Sequence, residues 1–381
     1  MDFIQEIPRI QEAQNANIEI FVINPVINNE NFQRQVTYEV KGQDSLGQFE
    51  SLRKYSEFIT LRNILTQKWP GHYIPPVPPK KLMGSFSLEF IETRRKHLEY
   101  FLQQSSKINI FYTTEEYQLF LRGPADFDKL MNQFKYTIRD ISDKYKQVYE
   151  ECTKVFVTTQ MADQIAEYEN LFKENLNKLL DFKNVVKEVH TKFDSFQKQF
   201  CLFNAKMTSL ETEYIGEITP SYSKIYSPIE KNEIENPFHE IYEWVKIEIL
   251  DLEAILETIS KKSEIENQRA KIEEKIKKEN VNLKDLQAGK TKFLNLLNSK
   301  PKSDQAAEIE STIRELEADI IDHSCILRII VVRLFETVLP EFKVMKSKVY
   351  KDMMKTYGRI SLLAFQNFTD SAKQINWHSE G

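Results

Sequence analysis

The sequence predicts a chain in two parts. A small α+β module, with a short antiparallel sheet and several helices, precedes an all-α region of three long helices that pairs with a second chain. Three observations predict this. Segments rich in β-formers, bounded by turn residues, crowd the first sixty residues. Glycine and proline almost vanish from three long stretches after residue 125. In those stretches apolar residues recur at three- and four-residue steps, with dense Glu and Lys between them. At 381 residues the chain is long enough for more than one core.

Residues 1–16 read as an N-terminal tail. Met1-Asp2-Phe3-Ile4-Gln5-Glu6 offers neither a basic nor an apolar signal segment, so no signal peptide is expected. Residues 18–23 and 35–40 read as strands, each followed by Asn, Pro or Gly turn chemistry, and a third short strand covers about 48–55. Residues 58–68 follow as a helix, with Phe58, Leu61, Ile64 and Leu65 at helical spacing and Phe58 a core residue. Residues 88–104 and 114–121 read as two further helices. The chain has nine glycines, and Gly42, Gly47, Gly71 and Gly84 fall in the loops of this module. Gly123-Pro124 marks its end.

Beyond that boundary the helical stretches run over about 126–213, 238–299 and 304–375. They are separated by a connection holding Pro220, Pro228 and Pro237 and by Asn298-Ser299-Lys300-Pro301-Lys302-Ser303. The middle stretch carries Ile241, Val245, Leu252, Ile255 and Ile259. The last carries Ile309, Ile313, Leu316, Ile320, Leu327, Ile330 and Leu334. A helix of sixty-odd residues extends roughly 90–100 Å, longer than a globular domain needs. Its apolar stripe exceeds what one chain can cover, so a dimer is expected. Pro340 lies inside the third stretch and should bend it.

Charge narrows the function. A formal net charge of −5 argues against bulk nucleic-acid binding. Residues 1–123 carry 14 basic and 14 acidic side chains, whereas residues 261–302 carry 12 and 6. A positive patch in an otherwise acidic region points to one anionic partner. Cys152, Cys201 and Cys325 lie far apart with no CxxC, which fits a reducing compartment. The longest apolar run, 325–335, is broken by Arg328 and Arg333 and is too short to span a bilayer, so membrane contact would be peripheral. The six histidines have no metal-ligand spacing and no nucleophile motif occurs; no enzyme, metal or cofactor is expected. Ala288-Gly289-Lys290-Thr291 is no phosphate loop, because Lys284 stands where the earlier glycine belongs.

The residues that carry chemistry form three basic clusters in the first module. They are Arg53-Lys54-Tyr55-Ser56-Glu57-Phe58, then Pro75-Pro76-Val77-Pro78-Pro79-Lys80-Lys81, then Arg94-Arg95-Lys96. Cations for phosphate, a tyrosine ring for a sugar face and a rigid proline turn make a lipid-headgroup pocket. The proline run also contains PxxP registers and has a second reading as a Src-homology 3 ligand. Arg95 and Lys96 read as solvated charges on a helix face.

With these motifs in this order, residues 17–122 resemble a phox-homology (PX) domain. The resemblance implies binding of phosphatidylinositol 3-phosphate on endosomal membranes. It implies that Lys54 meets the 3-phosphate, that Ser56 donates to the same phosphate, and that Tyr55 forms the floor under the inositol ring. Lys80 would meet the 1-phosphate and Arg94 the free 4- and 5-hydroxyls. An arginine is commonest at the position of Lys54; lysine keeps the charge and loses the bidentate fork. Arg53 could substitute through a small twist of the strand.

Residues 143–381 resemble the BAR domain of sorting nexins in three-helix layout and length. That resemblance implies an antiparallel dimer, with itself or with a related PX–BAR chain, that senses or imposes membrane curvature. Lys275, Lys277, Lys278, Lys284, Lys290 and Lys292, with Arg269 and Lys271, are the candidate cations for an anionic leaflet, each contributing on the order of 1 kcal/mol. The other reading of this stretch is a solvated face of Glu–Lys pairs. Residues 123–142 read as a linker whose Phe127, Leu130, Met131, Phe134, Ile138 and Ile141 form one apolar stripe, which either wedges into a membrane or packs on the protein. Together the resemblances imply a PX–BAR sorting nexin on the cytosolic face of early endosomes, partnered by a retromer-like cargo complex. The alternative is a coiled-coil scaffold whose PX domain binds protein instead of lipid.

Overall fold

A computed structural model describes residues 18–30, 33–80, 87–124, 127–131, 134–214, 235–288 and 301–373. The chain divides into two compact units. One comprises Met1–Asn170 and Glu253–Pro340, the other Leu171–Leu252 and Glu341–Gly381.

The first unit opens with an antiparallel sheet of β1 (Glu19–Glu30), β2 (Gln33–Asp44) and β3 (Gly47–Lys54), in that spatial order. Alternation sends Ile20, Val22, Val36, Tyr38, Val40 and Phe49 inward. Between Ile23 and Val26 the β1–β2 register shifts. The cause is local: Pro25 has no N–H for the ladder, and Asn24 adopts φ +47°, a left-handed value that asparagine tolerates. Asp44 accepts the Leu46 N–H at 2.8 Å, and Gly47 at φ +105° completes the β2–β3 turn.

Helix α1 (Tyr55–Lys68) starts directly on the last strand residue. That is three positions earlier than periodicity indicates, because Glu57 reaches back to accept the Lys54 N–H at 2.6 Å. Helices α2 (Leu88–Ser105), α3 (Asn109–Tyr112) and α4 (Glu115–Arg122) follow; Ser87 caps α2 and Thr114 caps α4. Phe58 is fully buried, its ring edge-on to Phe120 at 4.9 Å, within a core that includes Leu61, Leu65, Leu98 and Phe101. A fully buried ring of this size contributes about 2–3 kcal/mol.

The linker does not form one helix. It breaks into α5 (Phe127–Met131), α6 (Ile138–Val148) and α7 (Glu150–Lys154), with Thr137 and Asp140 closing a capping box at the start of α6. The segment after α1 packs against these helices and against α9 (Phe238–Gln287) and α10 (Lys302–Arg333). Gly71 holds φ +84°, and a Cβ there would stand 2.8 Å from the Ile330 side chain. His72 meets the Tyr145 hydroxyl at 3.2 Å and the Tyr149 hydroxyl at 2.6 Å, and its carbonyl accepts from Thr258. The first module and part of the long-helix region therefore share one core. Trp69, buried in it, packs its ring on His72 and Tyr145.

A π-helical turn over Leu334–Val338 follows α10 and leads into α11 (Leu339–Lys373). Pro340 accounts for it. Proline cannot donate to the Glu336 carbonyl, and its ring crowds that oxygen; a wider turn relieves both. In keeping with this, the Leu339 N–H bonds to the Leu334 carbonyl, five residues back.

Helix α8 spans Thr159–Tyr214. In the second unit Val186 from α8 and Ile241, Val245 and Ile249 from α9 form a core, with Met353 and Tyr357 of α11 packed on it. Lys346 makes ion pairs with the buried Glu248 and Asp251. No helix among the described residues is long and apolar enough to cross a membrane.

Candidate phosphate-binding site

Arg94 is the centre of the site. Its side chain, 8% exposed, lies over the Tyr55 ring at 4.3 Å and the Phe90 ring at 4.4 Å. Helical spacing aligns Phe90 and Arg94 four residues apart on α2, and the strand-to-helix junction delivers Tyr55 from the other side. The Arg94 Nε and one terminal nitrogen have no hydrogen-bond partner among the described residues. A buried guanidinium with unspent donors costs stability, so a site of this kind fits an anionic or polyhydroxylated ligand. Burial pushes the Tyr38 and Tyr55 hydroxyls up in pKa, and the Arg94 charge pulls both partly back.

The Tyr55 hydroxyl donates to the Pro78 carbonyl at 2.5 Å, which ties the aromatic floor to the proline run two residues before Lys80. Pro75, Pro76, Val77 and Pro78 are buried, and the Pro75 carbonyl accepts from Arg62 at 3.1 Å. That burial removes the Src-homology 3 reading, which needs an exposed proline ridge. Lys80 is exposed and Lys54 half-buried, and neither is seen with a side-chain partner among the described residues. The structure thus joins Tyr55, Arg94 and the end of the proline run, with Lys54 beside Tyr55 in the chain.

Two expected contacts are used elsewhere. Arg53 is 1% exposed and spends its fork on backbone carbonyls. Its nitrogens donate to Phe120 at 2.7 Å, Gly123 at 2.7 Å, Pro124 at 3.0 Å, and Leu52 and Leu119 at 3.1 Å. It is a cation at the C-terminus of α4, where orphan carbonyls and the helix dipole favour positive charge, and so it is not a headgroup contact. Ser56 turns away as well: its Oγ donates to Asp128 of α5 at 2.9 Å, and Thr60 donates to the other Asp128 oxygen at 2.6 Å.

The apolar stripe of 127–141 is likewise not a free membrane wedge. Phe127 and Met131 are buried, Leu130 and Phe134 half-buried, and the Phe127 N–H donates to Glu57 at 2.8 Å. Arg95, read as a solvated charge, instead donates to the Val22 carbonyl at 2.5 Å and pairs with Glu92 and Glu99, binding α2 to β1. Of the candidate leaflet cations, Lys275, Lys277, Lys278 and Lys284 are exposed on α9. Arg269 and Lys278 pair with Glu273 and Glu274. Lys290 and Lys292 lie outside the described residues.

Sequence reasoning assigned no role at the site to Phe90, although it opens the motif that carries the PX resemblance; the four-residue step to Arg94 could have revealed one. It also missed Asp128, whose partners lie about seventy residues upstream and leave no local signal.

The sheet, its helices and Arg94 between two aromatic rings form an α+β module joined to a long-helix region, and comparisons with known proteins bear on both. Residues 43–123 match the PX domain family. Sorting nexin 1 of Arabidopsis thaliana is 29% identical over 156 residues, covering 34% of this chain and 38% of that protein. Sorting nexin MVP1 of Candida albicans is 36% identical over 102 residues (26% and 14%), and vacuolar protein sorting-associated protein vps5 of Schizosaccharomyces pombe is 36% identical over 93 (24% and 16%). The matched segments thus span well under half the length of these relatives. The cryo-EM structure of the SNX-BAR Mvp1 tetramer resembles the chain in fold, with a TM-score of 0.57 at 14% identity over 93% of this chain and 99% of that one. Residues 43–123 thus carry a PX domain, and the chain as a whole shares the fold of the SNX-BAR Mvp1 structure.

Proposed function

We propose that the chain is a peripheral membrane protein of endosomal sorting that binds phosphatidylinositol 3-phosphate through its PX module. The observation that carries this reading is Arg94, buried between the Tyr55 and Phe90 rings with donors unspent. Lys54 and Lys80 supply cations for the 3- and 1-phosphates, Tyr55 the floor for the ring, and Arg94 the donors for the free hydroxyls. The reading places the protein on the cytosolic face of early endosomes, alongside a retromer-like cargo complex.

The long-helix region acts as a dimer, with itself or with a related PX–BAR chain, and senses or imposes curvature. Exposed apolar residues on α8 (Leu180, Phe182, Val185, Phe196) and α11 (Val344, Val349, Met354) support association with a second chain. The exposed lysines of α9 add attraction to an anionic leaflet, and two linked pockets multiply a weak affinity through effective concentration. Charge reversal at Lys54, Lys80 and Arg94 together should abolish flotation with vesicles containing phosphatidylinositol 3-phosphate. Undiminished flotation would refute the pocket. Electron microscopy of wild-type protein on such vesicles should show tubules, whereas smooth vesicles at high protein concentration would favour the scaffold reading.

A further inference from the structure

The contact that the headgroup reading does not use is the one Asp128 makes with α1. Glu57 lies in the first turn of that helix, and Asp128 faces it from α5. Glu57 is spent on backbone, accepting the Lys54 N–H at 2.6 Å and the Phe127 N–H at 2.8 Å. Asp128 accepts the Ser56 hydroxyl at 2.9 Å and the Thr60 hydroxyl at 2.6 Å. Phe127, next to Asp128, is fully buried with its ring edge-on to Phe120 at 5.2 Å, so the carboxylate sits on an anchored segment. A fixed negative charge therefore occupies the serine hydroxyl that follows Lys54 and Tyr55.

Resting on the headgroup reading above, we infer that Asp128 sets the strength of the phosphate site: it holds Ser56 and opposes a phosphate beside Lys54. A phosphate accepting from the Ser56 hydroxyl would lie within hydrogen-bond range of the same oxygen atom as the carboxylate. Two anions so placed repel. The hydroxyl must leave Asp128 before it can serve the ligand, and the charge remains close by even then. At a separation of about 5 Å and a dielectric between protein surface and water, one carboxylate weakens phosphate binding roughly tenfold. The site thereby holds its phosphate weakly and relies on Lys54, Lys80 and Arg94 for its attraction.

The test is vesicle sedimentation of the full chain with phosphatidylcholine vesicles containing a few per cent phosphatidylinositol 3-phosphate. Asp128→Asn keeps the shape and an oxygen acceptor but removes the charge. It should tighten binding by roughly tenfold, with no change on vesicles of phosphatidylcholine alone and no change in melting temperature. Equal or weaker binding by a variant that melts like wild type would overturn the inference. Ser56→Ala provides a second readout: its hydroxyl is already committed, so binding should change less than about twofold, and a loss of an order of magnitude would overturn the inference. Arg94→Ala separates the two levels. If it binds like wild type, the headgroup pocket fails and this inference with it. If it loses binding while Asp128→Asn changes nothing, only the role of Asp128 fails.

Discussion

Arg53 and Arg94 carry the same charge, and what their donors meet divides their roles. Arg53 ends in a ring of carbonyls at the C-terminus of α4; Arg94 ends between two aromatic faces with nitrogens unspent. Arg53→Ala should therefore cost roughly 3–5 kcal/mol of stability in urea denaturation, because several buried carbonyls lose their donors together. A loss under about 1 kcal/mol would contradict that account. All of these carbonyls except that of Leu52 lie some seventy residues from Arg53, and no local pattern in the sequence points to them. Tyr55 and Arg94 were legible because motif order places both at a strand-to-helix junction and on a helix. His72 makes a second residue-scale prediction. Burial, helped by the nearby Arg333 charge, holds its pKa well below the usual value, so it is neutral when folded. A base whose pKa is depressed by folding stabilises above its unfolded pKa, and that contribution is lost as pH falls. Stability should thus drop as pH goes from about 7 to about 5, and His72→Gln should flatten that part of the slope in a pH series of denaturation curves.

Elements proved legible where local chemistry determines them. β3, α2 and α4 lie close to where alternation, caps and turn residues place them, whereas β1 and β2 are each 12 residues long and run well past the segments 18–23 and 35–40. The start of α1 also departs from its expected place, because the Glu57 bond to Lys54 draws helix into the end of the strand. The linker stripe of 127–141 has helical periodicity, yet tertiary contacts split it; periodicity reports an apolar face and is silent on what covers it. Pro340 was readable as a disturbance, and the fold accommodates it with a π-helical turn. Gly71 belongs to this scale too. Its positive φ and its contact with Ile330 join the end of the α1 segment to α10. Gly71→Ala combines backbone strain with overpacking and should cost roughly 2–4 kcal/mol. Thermal melting checks this; an unchanged melting temperature would mean that the contact is not tight.

At the scale of the whole molecule, two features support the proposed membrane role: a buried arginine with unspent donors and long helices with exposed apolar side chains on α8 and α11. The proposed dimer pairs the chain with itself or with a related PX–BAR chain. Light scattering on the purified chain should report twice the mass of a monomer; a monomer at micromolar concentration would mean that a related chain supplies the other half. On the proposed dimer, joining two weak sites would make lipid affinity steep in protein concentration. The measurement that tests the central claim most directly is flotation of wild type and Arg94→Gln with vesicles that contain or lack phosphatidylinositol 3-phosphate. The account predicts that wild type floats only with the phosphorylated lipid, and that Arg94→Gln stays behind while melting like wild type. Equal flotation of the two proteins would contradict it.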